Sequence, residues 1–110
     1  MSIDLKYKKC QSCNGNTPKF NPNQIIEHLS NLDNWSVNEE QKMIFKKFNF
    51  KNFNQALNFT NKVGELADEE GHHPDISLGW GYALIMLHTH AIKGISINDF
   101  ILAAKIDVIN

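Results

Sequence analysis

The chain contains no arginine; all eleven of its basic residues are lysines. It therefore lacks the planar guanidinium fork that pairs bidentately with phosphate, carboxylate or guanine. Net charge is −1, so no strong field gathers polyanions. The one local basic cluster is Lys6, Lys8 and Lys9, and direct nucleic-acid binding is not expected. Long hydrophobic runs are also missing. The longest, "YALIMLH", is strand-sized, far short of the roughly 20 residues needed to cross a bilayer, and no membrane partner is expected. The opening "MSIDLKYKK" lacks the apolar core of a secretory signal, so the expectation is a cytoplasmic protein. Cysteine is scarce: Cys10 and Cys13 form a single C-x-x-C. A structural zinc site would need further ligands at matching spacing. A thioredoxin-like motif would lie between a strand and a helix, whereas this pair lies in a polar leader rich in Gly, Asn and Pro. It reads as free thiols in a loosely ordered arm, with redox chemistry or partial metal binding as the alternatives.

What is present suits one small domain. The chain has 110 residues, of which 42% are apolar, enough for a single core. Residues 1–20 are polar and aperiodic and read as an N-terminal arm; residues 21–110 read as the domain. "NPNQIIEHLSNL" opens with Asn21 as a cap and Pro22 at the first helical position. Ile25, Ile26, Leu29 and Leu32 supply its apolar face, and Asp33 and Asn34 end it. "WSVNEEQKMIFKKFNF" predicts two strands joined by a polar turn at 38–41, with Ile44, Phe48 and Phe50 of one parity and Lys46 between them. "NFNQALNFTNKVGELADEEG" is a long helix capped by Asn52. Its apolar positions are Phe53, Ala56, Leu57, Thr60, Val63, Gly64 and Ala67, and Gly71 is the left-handed residue that ends it. "ISLGW" and "YALIMLHTH" form a strand pair with a tight connection at Gly79-Trp80-Gly81. In the second strand Tyr82, Leu84, Met86, His88 and His90 share one face, and Ala83, Ile85, Leu87 and Thr89 the other. Ser96 caps a last helix with Asp99 in a capping box, and Ile97, Phe100, Ile101, Ala104 and Val108 form its inner face.

The order αββαββα predicts a two-layer α+β fold: a four-stranded antiparallel sheet with three helices on one face. The other sheet face keeps apolar residues, which points to a homo-oligomer.

Four of the five histidines fall within "EEGHHPDISLGWGYALIMLHTH". His72 and His73 follow a helix end, where a rigid scaffold can aim both rings at one pocket; interaction with the helix dipole alone is the plainer reading. Pro74 prevents the helix from continuing. His90 ends a strand near a cleft, His88 reads as a packing or solvent-facing residue, and His28 as a surface residue. His88-x-His90 has the look of a metal pair, but no third and fourth ligand stand at diagnostic spacing, and no metal is expected.

The spacing from Asp68 through His72-His73-Pro74, Trp80 and His90 to Asp99 resembles the signature of the pterin-4a-carbinolamine dehydratase family. "IFKKFNFKNFNQALNFTNKV" and "THAIKGISINDFILAAKID" resemble its flanking segments, so the likeness covers residues 22–108. It implies an antiparallel four-stranded sheet covered by helices, in agreement with the periodicity. It also implies a homodimer or homotetramer, and in some animal members a partnership with a homeodomain transcription factor. The implied reaction is loss of water from a 4a-hydroxy-tetrahydropterin, giving quinonoid dihydropterin, with no metal or organic cofactor. Such a reaction needs one general acid and one general base with pKa near the working pH, a task imidazole can perform. By position, His72 and His90 would trade those roles. His73 would hold and orient the pterin or share the proton work as a third catalytic histidine, and Asp68 would orient a histidine or stabilise its charge. Trp80 would wall the pocket or only pack, and Asp99 would reach the site's rim or only cap its helix. Asn98 stands where many members carry a basic residue, usually arginine, and would touch or orient substrate. The alternatives are a non-catalytic dimerisation or stabilising partner on the same fold, or a dehydratase-like step in another pterin or molybdopterin pathway.

Overall fold

The computed structural model describes residues 5–12 and 14–110. Its elements are α1 (Pro22–Leu29), β1 (Ser36–Val37), β2 (Ile44–Asn49), α2 (Phe53–Glu70), β3 (Asp75–Gly79), β4 (Tyr82–Leu87) and α3 (Ile97–Ile109). The four strands form one antiparallel sheet in the order β1-β2-β4-β3. Three helices with this strand order give the expected two-layer α+β fold. None of the helices described is long and apolar enough to cross a membrane.

The sheet follows the parity of its residues. Register pairs Ile44 with Leu87, Lys46 with Ile85 and Phe48 with Ala83, and the apolar members of these pairs are buried together under the helices. Lys46 shares that inward face, where its Nζ lies 2.9 Å from Asp107 Oδ1. Trp35 Nε1 donates to the same carboxylate at 3.0 Å, so the charge at the core's margin is neutralised. On α2, Ala56, Phe59, Val63 and Ala67 face inward. Phe53, expected there, is exposed, and Phe59 takes the aromatic role against Phe48 and Phe50.

The helix ends obey local rules. Asn21 and Gln24 form a reciprocal capping box at α1, Asn52 caps α2, and Ser96 and Asp99 form a capping box at α3. Gly71 ends α2 at φ 65°. Its N–H donates to Asp68 O at 3.3 Å, and the His72 N–H donates to Ala67 O at 3.2 Å. These two bonds make a Schellman turn, which sets where the His72 backbone lies.

Several expectations are corrected. α1 stops at Leu29 rather than at Asp33, because bonds from Asn31 N–H to His28 O and Leu32 N–H to Leu29 O tighten the chain into a turn; Leu32 still packs on the core, while Ile26 is exposed. His28 is half-buried rather than on the surface, its ring tilted against Phe20 and Phe100 at centroid distances of 4.7 and 5.2 Å. β4 stops at Leu87 rather than His90, because Thr89 pairs with Gly94 and closes a loop, and His90–Ile92 form one 3-10 turn. Trp80 does not pack; it is 72% exposed at the tip of the β3–β4 hairpin.

The largest correction concerns α3 and the leader. Asn98, Asp99, Leu102, Ala103 and Ile106 are buried along with Phe100 and Ile101, and Val108 is exposed. A helix buried on nearly all sides needs a cover beyond the sheet, and the leader supplies it. Residues Leu5–Tyr7 form a 3-10 turn that packs on α3, and Leu5 and Cys10 are buried. Residues 5–11 of the leader are therefore docked rather than loose. Cys13, the other half of the C-x-x-C, lies outside the described residues.

Two outcomes follow for stability. No atom lies within 4 Å of a Cβ built on Gly71, so Gly71→Ala meets only backbone strain and should cost roughly 1–2 kcal/mol in urea denaturation, with Gly71→Asn milder. Burial, reinforced by the Glu70 charge, pushes the Cys10 thiol from its ordinary 9.0 up to about 12. Between those values the unfolded chain has released a proton that the folded chain keeps. This contribution is complete below pH 9 and is lost as pH rises toward 12. Cys10→Ala should flatten that part of the stability–pH curve relative to the parent.

Candidate active site

Where α2 ends, β4 stops and α3 begins, the chain encloses an open pocket of about 330 Å³. Its lining runs from Gly71 to Asp75 and from His88 to Ala91. Its volume is at the lower end for small-molecule sites.

His72 is the buried member. Its Nε2 lies 2.6 Å from Asp99 Oδ1, and Asp99 is fully buried. The other carboxylate oxygen, Oδ2, accepts the Thr89 hydroxyl at 2.9 Å and the Ser96 N–H at 2.9 Å. Thr89 Oγ1 and Ser96 Oγ are themselves 2.8 Å apart. Asp99 thus caps α3 and also holds a pocket histidine. A carboxylate only accepts, so Nε2 carries the proton and Nδ1 is the acceptor nitrogen of the neutral ring.

The remaining imidazoles stand at the rim. His73 Nε2 meets Asp68 Oδ1 at 2.8 Å, with both side chains exposed; such a pair orients a ring but adds little stability. Asp68 therefore partners His73 rather than His72. His90 is exposed on its 3-10 turn, and its ring stands edge-on to His88 with centroids 4.2 Å apart. His88 is anchored by Asp75 Oδ2 at 2.9 Å.

The structure thus brings His72, His73 and His90 to one pocket, with Asp68 and Asp99 behind two of them. It does not bring Trp80 there: β3 separates that tip from the pocket by roughly 16 Å of strand. Nor does Asn98 line the pocket. Its amide is turned to the leader, where Oδ1 accepts the Gln11 N–H at 3.0 Å and Nδ2 donates to Gln11 O at 2.7 Å. Sequence reasoning missed His88, Asp75 and Thr89. A diagonal cross-strand check of Asp75 against His88 would have signalled that pair. Among the described residues, no three His, Cys, Asp or Glu side chains converge as metal ligands.

A family model described as pterin 4 alpha carbinolamine dehydratase matches residues 18–109. The chain belongs to that family. A relative from Halorhodospira halophila is 43% identical over 107 residues, covering 97% of this chain and 98% of its own. One from Alkaliphilus metalliredigens is 44% identical over 105 residues, covering 94% of each chain. Both names assign the dehydratase activity provisionally. Among solved structures, a transcriptional coactivator/pterin dehydratase from Brucella melitensis superposes with a TM-score of 0.79 at 26% identity, covering 84% of this chain and 98% of its own. A pterin dehydratase-like protein identified as a RuBisCO assembly factor in the alpha-carboxysome gives 0.59 at 30% identity, covering 69% and 88%. The shared family fold thus hosts more than one described role.

The buried network can be tested apart from any activity. Thr89→Val removes one of the two donors to Asp99 Oδ2 in nearly the same volume. Chemical denaturation should register a loss of roughly 1–3 kcal/mol, the cost of an under-satisfied buried acceptor.

Proposed function

We propose that this protein is a 4a-hydroxytetrahydrobiopterin dehydratase, a hydro-lyase of tetrahydropterin recycling. The observation that carries the reading is the convergence of His72, His73 and His90 on one pocket in a chain of this family. In the reaction the C4a–O bond breaks, the hydroxyl leaves as water with a proton from a general acid, and a general base removes the N5 proton as the C4a=N5 bond forms. Charge and atoms balance across the two transfers, so the enzyme ends the cycle with its protons exchanged between two groups.

His72 and His90 take these roles on opposite sides of the reacting atoms. The carboxylate of Asp99 favours His72 for the role that gains positive charge in the transition state. The exposed His90, on a turn at the rim, meets the hydroxyl and releases it toward solvent. His73, oriented by Asp68, holds the pterin. Half-buried Phe45, Tyr82, Leu84 and Met86 on the sheet's open face, with exposed Trp80 at its edge, support a homodimer or homotetramer. A cytoplasmic site of action is part of the same proposal.

The competing reading is a non-catalytic partner protein; its support is the likeness to the assembly factor. An assay that follows dehydration of freshly generated 4a-hydroxy-tetrahydropterin separates the two. Acceleration over the uncatalysed rate is expected, and its absence would sink the enzyme reading. His72→Ala and His90→Ala should each lower kcat by about 10²–10⁴-fold, the usual worth of one proton transfer, with circular dichroism unchanged.

A further inference from the structure

The leader makes more contact with the site's supports than a mere cover requires. Glu70 is the last residue of α2, two residues before His72, and it is buried. Its Oε1 accepts the Cys10 N–H at 2.9 Å, while Oε2 pairs with Lys105 Nζ at 2.9 Å and with Lys9 Nζ at 3.7 Å. Burial alone would push this carboxyl up; the Cys10 N–H, Lys105 and Lys9 outweigh it and hold the group below its usual range. Asn98 is the residue before Asp99 and is buried too. Its amide makes both bonds to Gln11, as a neighbouring strand would, and Cys10 Sγ donates to Asn98 O at 3.6 Å. Leu5 anchors the far end in the core.

The two clamps sit on the same helix ends that the His72–Asp99 bond joins: the end of α2 and the start of α3. We propose that residues 5–11 are a strap whose docking on Glu70 and Asn98 cross-braces these helix ends and so holds the His72–Asp99 pair in register. Glu70 and Asn98 are then positioning residues, acting through His72 and Asp99 without touching substrate. An asparagine suits the second clamp because it offers a donor and an acceptor together. Lysine or arginine at that position would offer donors only and would leave the Gln11 N–H without its acceptor. As a statement about catalysis, the inference rests on the dehydratase reading; as a statement about geometry it does not.

The test uses the full chain with two substitutions distant from the pocket. Gln11→Pro removes the N–H given to Asn98, and Leu5→Ala removes the buried anchor; the second stands in if proline perturbs folding. Three quantities are read. The first is labelling of Cys10 by a thiol reagent, separated from Cys13 by tandem mass spectrometry. The second is exchange of the His72 Nε2 proton by NMR, with the imidazole of His28 as internal control. The third is kcat against KM for dehydration. Each variant should expose Cys10 and speed exchange at His72 about tenfold, the scale of one lost hydrogen bond, with His28 unmoved and kcat lowered more than KM is changed. Faster Cys10 labelling with His72 exchange and kcat as in the parent would overturn the proposal. Unchanged Cys10 labelling in both variants would overturn it as well, because the strap would then not be held by these contacts. If the parent has no dehydratase activity, the labelling and NMR measurements still decide the geometry.

Discussion

The carboxylate of Asp99 is the constraint on which the rest of the site depends. A fully buried carboxylate is costly unless its oxygens are saturated with donors. Here three donors come from three places: the Ser96 N–H at the start of α3, the Thr89 hydroxyl beyond β4, and the His72 ring beyond α2. Each donor has its own local determinant. Ser96 is a helix cap, Thr89 continues the inward parity of Ala83, Ile85 and Leu87, and His72 follows a glycine-terminated helix. Satisfying one carboxylate therefore requires α2, β4 and α3 to meet at a fixed separation, and the pocket is what remains beside that meeting point.

The parts legible in the sequence are those decided within a few residues. Asn21, Asn52, Gly71 and Ser96–Asp99 mark helix boundaries through bonds that span at most five positions, and all four stand where the pattern places them. Strand parity is equally local, so the inward set of β2 and β4 could be read through Thr89. What could not be read was decided by distant partners. α3 is apolar on more than one side, and only the docked leader explains why. His28 looked like a surface residue because its ring partner Phe20 belongs to a leader with no periodic signal. The end of β4 depends on Thr89 finding Gly94 across a turn. At the site, the family resemblance marked three histidines and two aspartates, but not that Asp99 pairs with His72 and Asp68 with His73. Asp68 lies one turn from His72 along the helix, yet the Schellman turn redirects the chain, and it is His73 that comes back over it.

This redirection explains how adjacent histidines acquire different environments. Gly71 adopts the left-handed conformation, so the chain leaves the helix axis at His72, and consecutive side chains point to opposite sides. One ring enters the α2–α3 junction; the next stays outside. Pro74 then commits the chain to β3 rather than to further turn. Two neighbours in sequence thus become one buried, network-bound imidazole and one exposed, singly paired one.

That asymmetry matters for any reaction with two opposed proton transfers. Groups doing such work must be held within a fraction of an ångström of productive geometry, and sites on helices and strands achieve this better than sites on loops. His72 has that rigidity: its backbone is bound into the helix end and its ring into the Asp99 network. His90 does not have it from its own turn, which lies outside the sheet ladder. Its ring rests edge-on against His88, which in turn is tied across the hairpin to Asp75. The side of the pocket at the helix junction is thus fixed by a saturated buried charge, and the opposite side by a chain of two weak contacts. In the proposed dehydration the buried side would set the reference position for the pterin, and the rim side would be the one to yield as water leaves.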